Sequence, residues 1–310
     1  MTLKLPLLVI VGPTAVGKTT LSIALAAQFN GEIISADSRL FYQGMDIGTA
    51  KPTVEQRSAV PHHLIDLCRP DQTITLAQYH RLAYHTIDQI HQRNRLPLLV
   101  GGTGQYVKAV VEGWGIPEVA PQKPLRHALA ELDGPELARW LALLDPEAAE
   151  RIDPRNLRRI IRALEVTLVT GRPITELQRK KPPPYHIKTI GLHLDRETLY
   201  QRIDRRVEEM IAAGLLTEVK ALLAAGYKPT LPALSGLGYR QLTQYLAGKH
   251  TLQEAIQRIQ FETHRFARQQ YTWFRLDDPT ITWFNTQEDD WMTAVFKEVT
   301  DFLNNNSTHE

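Results

Sequence analysis

The hydrophobic patterning predicts an α/β fold: a parallel sheet flanked by helices, with an inserted all-helical domain. Three observations carry that prediction. Short apolar runs alternate with helical periodicity before about residue 110, as in a layered structure with a parallel sheet. A glycine-rich turn, residues 12–19, joins the first apolar run to the first helical pattern. Between 113 and 185 convincing strand patterns stop, and prolines punctuate the chain at 117, 121, 124, 135, 146 and 154.

In chain order, Leu5–Val11 reads as a buried first strand. Lys4 ahead of it resembles the start of a secretory signal, but no small-residue cleavage site follows. Leu21, Ile23, Leu25 and Ala26 give Lys18–Phe29 a broad apolar helical face. Glu32–Ala36 is a second strand ending at Asp37, and a helix over Leu76–Arg93 precedes the strand Leu96–Val100. The insertion is predicted to hold helices at 124–145 and 154–170, and Lys180–Pro184 is a stiff linker by composition. Thr189–Leu194 returns the chain to the sheet, with long helices expected over Arg196–Ala225 and Thr251–Phe274. The expected domains are a discontinuous core (1–112 and 186–280, with its C-terminal helices), a helical insertion (113–185) and a C-terminal tail (281–310). The polar end of that tail, Asn304–Thr308, is expected to fray.

The 310 residues are 43% hydrophobic and 23% charged, which supports a real core and excludes a disordered or collagen-like chain. Cys68 is the single cysteine, so neither an intrachain disulfide nor a cysteine-based zinc site can form, and a reducing, cytoplasmic setting is expected. No apolar run approaches the ~20 residues that span a bilayer, so no membrane partner is expected. The net charge of +2 announces no nucleic-acid partner, yet it hides an asymmetry. Residues 151–190 hold ten basic side chains against Asp153, Glu165 and Glu176, a local excess of +7 that leaves −5 elsewhere. Such a patch suits a phosphate backbone, although a solvated arginine-rich helix face gives the same pattern. Near the C-terminus Arg258, Arg265, Arg268 and Arg275 interleave with Phe261, Phe266, Tyr271, Trp273 and Phe274. Helical spacing assigns much of that aromatic set to a core, with RNA stacking as the alternative.

Gly12-Pro13-Thr14-Ala15-Val16-Gly17-Lys18-Thr19 matches the P-loop pattern G-x-x-x-x-G-K-[ST]. Glycines let the backbone wrap a phosphate closely, so that successive N–H groups and a helix N-terminus face its oxygens. Lys18 adds a point charge, and the Thr19 hydroxyl is placed to ligate Mg²⁺. The loop does not name the reaction: phosphoryl transfer from a nucleotide such as ATP and another use of a diphosphate cradle both fit. The strand Leu96–Val100 ends in Gly101-Gly102-Thr103, without the magnesium-directing acid of a nucleotide hydrolase, and Asp66 is a possible substitute. Asp37 also ends a strand, and in a doubly wound sheet such ends line one crevice. A carboxylate there could hold a metal, act as a general base or cap a turn.

Taken together, these residues resemble the bacterial type of the tRNA dimethylallyltransferase (tRNA isopentenyltransferase) family from about Leu7 to Arg275. The resemblance rests on the phosphate loop, on Ile34–Ser38 with Tyr42 and on Gly44–Lys51. It continues through Pro61–Asp66, Gly101–Gly104, Arg162–Val166, Arg202–Val207 and Gly238–Gln241. The runs G-M-D-I-G-T-A-K and G-Y-R-Q are far more specific than the loop. The resemblance implies transfer of a dimethylallyl group from dimethylallyl diphosphate to N6 of the adenosine 3′ of the anticodon, by a monomer acting on the anticodon stem-loop. A small-metabolite or nucleotide kinase is the alternative. It further implies Asp37 as general base, Thr103 and Arg206 as its catalytic companions, and the loop residues Gly12, Thr14, Ala15, Val16, Gly17, Lys18 and Thr19 on the diphosphate, Thr19 through Mg²⁺. For tRNA it implies Asp37, Ser38, Arg39, Leu40, Thr103, Arg126, Arg158, Arg159, Arg162, Gly238, Tyr239 and Arg240. Two positions depart from many bacterial members, which carry Gln where this chain has Leu40 and Leu where it has Gln105. The lone cysteine excludes the C-terminal zinc finger of the eukaryotic form.

Overall fold

The computed structural model describes residues 4–307. Six strands, β1 (Leu5–Val11), β2 (Gly31–Ser35), β3 (His62–His63), β4 (Leu96–Val100), β5 (Tyr185–His193) and β6 (Ile281–Asn285), form one sheet in the order β3-β2-β4-β1-β5-β6. Every pairing is parallel, with Leu8 opposite Leu98 on one side of β1 and opposite Lys188 on the other. Parallel strands are joined by crossovers that cover both faces, which is why β1 reads as an unbroken apolar run rather than an alternating one. Its last five residues are buried.

The first helix, α1 (Lys18–Gln28), buries Leu21, Leu25 and Ala26 against the sheet. The short α2 (Val54–Ala59) opens on a capping box in which Thr53 and Gln56 satisfy each other's backbone N–H groups. In α3 (Leu76–Gln92) Tyr79, Ala83, Ile87 and Ile90 recur on one buried stripe. Helix α4 (Gly104–Val111) follows β4.

The helix expected over 124–145 is two: α5 (Lys123–Ala130) and α6 (Gly134–Leu144), separated where Asp133 caps the Glu136 N–H and Pro135 opens the new helix. Then come α7 (Pro146–Arg151), α8 (Leu157–Thr170), which ends on Gly171, and α9 (Ile174–Leu177). The helix expected over 196–225 also divides, into α10 (Arg196–Ala212) and α11 (Leu215–Ala224). Gly214 between them takes φ +101°, a left-handed conformation that ends a right-handed helix and favours glycine. After α12 (Tyr239–Leu246), α13 (Leu252–Trp273) is the longest helix among the described residues.

Residues 281–307, the described part of the expected tail 281–310, are structured. They supply the edge strand β6, paired to β5 from Thr189 opposite Ile281 onward, and α14 (Trp291–Ser307). Val295 and Val299 of α14 are fully buried in the sheet's core cluster with Ile190 and Leu192. That helix runs through Asn304 and Asn305; Thr308, at the end of the stretch expected to fray, lies outside the described residues.

The chain divides into two compact units, one of residues up to 75, 79–107 and from 184 onward, the other of 76–78 and 108–183. The first holds the sheet. The second is helical and has its own core, built on Leu137, Leu141, Ile160, Leu164 and Val166. Among the described residues no helix is long and apolar enough to cross a membrane.

Candidate active site

The carboxyl ends of β1, β2 and β4 each deliver one predicted segment: the phosphate loop, Asp37 and Gly101–Thr103. Two backbone hydrogen bonds continue the sheet ladder past the strand ends, Ala36 N–H to Val100 O (2.8 Å) and Gly101 N–H to Ile10 O (3.1 Å). The segments therefore leave the sheet side by side. Gly12 takes φ +145°, and a Cβ there would lie 2.5 Å from the Leu192 carbonyl oxygen, so the loop can pass only with glycine. Helix α1 starts at Gly17 without a side-chain cap, leaving its first backbone N–H groups to serve an anion.

Within the loop, Lys18 Nζ donates to the carbonyls of Gly12 (2.8 Å) and Pro13 (2.7 Å). Burial pushes the Lys18 ammonium down to about 7, with the Asp37 charge opposing that shift and Arg206 adding to it. Burial likewise pulls Arg206 below its ordinary value against the support of Asp37. Asp37 thus sits in the field of two half-buried cations. Its Oδ1 accepts the Arg39 N–H at 2.9 Å, a local turn that fixes the carboxylate. Near it Phe41, Tyr79 and Tyr106 pack ring on ring, with Tyr79 and Tyr106 edge to face at 4.5 Å.

A cavity of about 720 Å³ is lined by Thr14, Asp37, Arg39, Arg206 and the turn Gly238-Tyr239-Arg240. Arg206 Nη1 donates to the Thr14 hydroxyl at 3.5 Å. Ile203, Val207, Met210 and Ile259 give the same cavity a hydrocarbon wall. Ser38, Leu40, Thr103 and the remaining loop residues are not on its lining. Thr103 instead heads α4, its carbonyl accepting the Tyr106 and Val107 N–H groups, and Leu40 engages Asp66 through its backbone.

Asp66, the possible substitute magnesium acid, is committed elsewhere. It pairs with the buried Lys51 and with Arg57 (3.1 Å), while Lys51 also holds Asp46 and the Tyr42 carbonyl. That cluster braces the G-M-D-I-G-T-A-K loop. In the helical unit, Glu165 is wholly buried and receives Arg126 (2.8 Å) and Arg162 (2.5 Å) together with the Gln122 N–H. Burial raises its carboxyl, but those hydrogen bonds prevail and hold it at about 2. Arg126 and Arg162, expected on tRNA, therefore spend charge on Glu165, whereas Arg158 and Arg159 stand exposed.

Two structural side chains escape the sequence reading. Gln270 of α13 accepts the Thr14 N–H through Oε1 (2.8 Å) and donates from Nε2 to the Gly102 carbonyl (3.0 Å), tying the phosphate loop to the turn after β4. That N–H is consequently engaged, and Thr14 faces the cavity with its hydroxyl. Glu218 of α11 accepts the N–H groups of Asp46, Ile47 and Gly48 (2.8, 2.8 and 3.2 Å) and the Tyr239 hydroxyl (2.6 Å). No local pattern reveals either, because every partner is distant in sequence.

A family model described as IPP transferase matches residues 40–277. The tRNA dimethylallyltransferase of Roseiflexus sp. (strain RS-1) is 58% identical over 275 residues, 87% of this chain and 90% of the relative. That of Dehalococcoides mccartyi strain 195 is 49% identical over 302 residues, 96% and 93% of the two chains. Among solved structures, the full-length tRNA isopentenylpyrophosphate transferase of Bacillus halodurans superposes with a TM-score of 0.75 at 40% identity, covering 98% of this chain and 99% of its own. A eukaryotic dimethylallyltransferase solved acting on tRNA gives 0.85 at 25% identity, covering 97% and 80%. The chain belongs to the IPP transferase family, that of the tRNA dimethylallyltransferases.

Proposed function

We propose that this enzyme moves the dimethylallyl group from dimethylallyl diphosphate to the exocyclic N6 of the adenosine 3′ of the anticodon in tRNA and releases diphosphate. The observation that carries the reading is the meeting of Asp37, Thr14 and Arg206 on one cavity that also has a hydrocarbon wall. The N6–carbon bond forms as the carbon–oxygen bond to diphosphate breaks. An adenine amine is a poor nucleophile, so Asp37 takes the N6 proton as positive charge develops. Lys18, Arg206 and the N-terminal amides of α1 take up the negative charge that accumulates on the leaving diphosphate. No phosphoryl group moves, which suits a β4 end that carries Gly101-Gly102-Thr103 in place of an acid.

Mg²⁺ fits this donor set. Thr19 is exposed in the first turn of α1 and offers one hard hydroxyl oxygen, and Mg²⁺ in phosphate sites is bound by few protein ligands, the substrate and water supplying the rest. Held by Thr19, the ion would neutralise charge on the diphosphate. The reading places the enzyme in the cytoplasm as a monomer, with the basic face around Arg158 and Arg159 on the anticodon stem-loop.

Incubating the protein with unmodified tRNA, labelled dimethylallyl diphosphate and Mg²⁺ tests the reading. Label is expected in the tRNA. Phosphate transfer from ATP without prenylation would overturn it in favour of a kinase.

A further inference from the structure

Helix α13 presents to the reaction cavity a face that the chemistry above does not use. Phe261 and Phe266 both line the cavity, yet 65% of the first and 38% of the second remain open to solvent. At 3.6 residues per turn, Arg258, Glu262, Arg265 and Gln269 fall within a wedge of about 60° on α13, with a phenylalanine on either flank. All four line the cavity as well. Glu262 is taken by Arg240. Among the described residues Arg258 and Arg265 make no ion pair; Arg258 has only the longer-range influence of Glu254. The face is therefore a cationic stripe between two open aromatic rings.

We propose that this face is a stacking platform for the unpaired nucleotides adjoining the target adenosine, with Phe261 and Phe266 against bases and Arg258 and Arg265 on the intervening phosphates. The inference rests on the proposed function and deepens it. Single-stranded nucleic acid is bound by that pairing of aromatic faces with cations, and stacking tolerates any base. There is also an energetic need. A target base that leaves its stack to be modified deprives both neighbours of a partner, at a cost of a few kcal/mol. Rings continuous with the cavity that receives the base would restore those contacts where they are lost.

The test compares Phe261→Leu, Phe266→Leu and the double variant with the corresponding Tyr variants, using full-length unmodified tRNA. Leucine keeps an apolar side chain and loses the π-face; tyrosine keeps it. Because both rings are partly exposed, the variants should melt close to the wild type. The Leu variants are expected to raise KM for tRNA about 5–150-fold per ring, from ~1–3 kcal/mol of stacking. The Tyr variants should stay within about threefold, and KM for dimethylallyl diphosphate should not move. A direct signature comes from an anticodon stem-loop with 2-aminopurine beside the target adenosine: wild type and Tyr variants should quench its fluorescence, and the double Leu variant should not. Leu variants that bind tRNA and quench like the wild type would overturn the platform. So would a loss confined to dimethylallyl diphosphate, which would assign the rings to the prenyl group. Prenyl transfer by the wild type tests the proposed function separately, so either reading can fail while the other stands.

Discussion

At the scale of residues, the site is a balance of a few charges in a confined space. Asp37 is the proposed base, and Asp37→Ala should slow prenyl transfer about 10²–10⁴-fold, the usual contribution of a positioned acid or base, while tRNA still binds. Turnover near the wild-type rate in single-turnover assays would remove Asp37 from that role. Lys18 makes a sharper prediction, since burial brings its ammonium down to about 7. An anionic diphosphate favours the charged form, so binding raises this value. Affinity for a non-reactive dimethylallyl diphosphate analogue should hold below about pH 7 and fall with up to tenfold per pH unit above it. Calorimetry at about pH 8 in buffers of different ionisation enthalpy should show uptake of close to one proton. Binding that is flat in pH, without uptake, would show that the lysine is not depressed. The loop carrying Lys18 was legible in the sequence because its geometry is local: glycines, lysine and threonine at fixed spacing on a strand–helix turn. The lysine's altered acidity was not, since it comes from burial and Arg206 acting against Asp37, groups brought close only by the fold.

At the scale of elements, the apolar strands read well and helix breaks read poorly. Leu5–Val11 and Leu96–Val100 agree with β1 and β4 residue for residue, because a doubly covered strand must be apolar throughout. The expected helix 196–225 ran through Gly214, since an isolated glycine inside an amphipathic pattern costs only about 1 kcal/mol and does not by itself announce a stop. The edge strand β6 was missed because its five residues are all half-buried and include polar ones, so no apolar run marks them. Contacts between elements were beyond local pattern altogether. Gln270 reaches Thr14 across 256 positions and Gly102 across 168. In Gln270→Glu a carboxylate could still accept the Thr14 N–H but has no proton for the Gly102 carbonyl. Leaving that buried acceptor unpaired should cost ~1–3 kcal/mol in denaturant unfolding and raise KM for dimethylallyl diphosphate. Unchanged stability and KM would show that the strut does not hold the loop.

At the scale of the whole molecule, a net charge of +2 conceals a basic stretch, residues 151–190, in an acidic remainder, and the helical unit's arginines differ in what they meet. Arg126 and Arg162 lie on buried Glu165 and serve the helical unit's own stability. Its carboxyl is depressed from the ordinary 4.5 to about 2, so the stabilisation is complete above about pH 4.5 and is lost as pH falls through 2. Glu165→Gln removes the charge that both guanidiniums share. With those arginines part exposed, the loss in unfolding free energy at neutral pH should be on the order of 2 kcal/mol. Arg158 and Arg159, adjacent and exposed on α8 and without a carboxylate partner among the described residues, are free to meet phosphate. Neutralising them together as Arg158→Gln and Arg159→Gln should leave melting unchanged and weaken tRNA binding. The slope of log affinity against log salt should become shallower by about 1 for each phosphate contact removed. Neutralising Arg126 should instead lower stability. If the double variant kept the wild-type salt slope, Arg158 and Arg159 would be a solvated helix face, and the excess of +7 would not mark where tRNA lies.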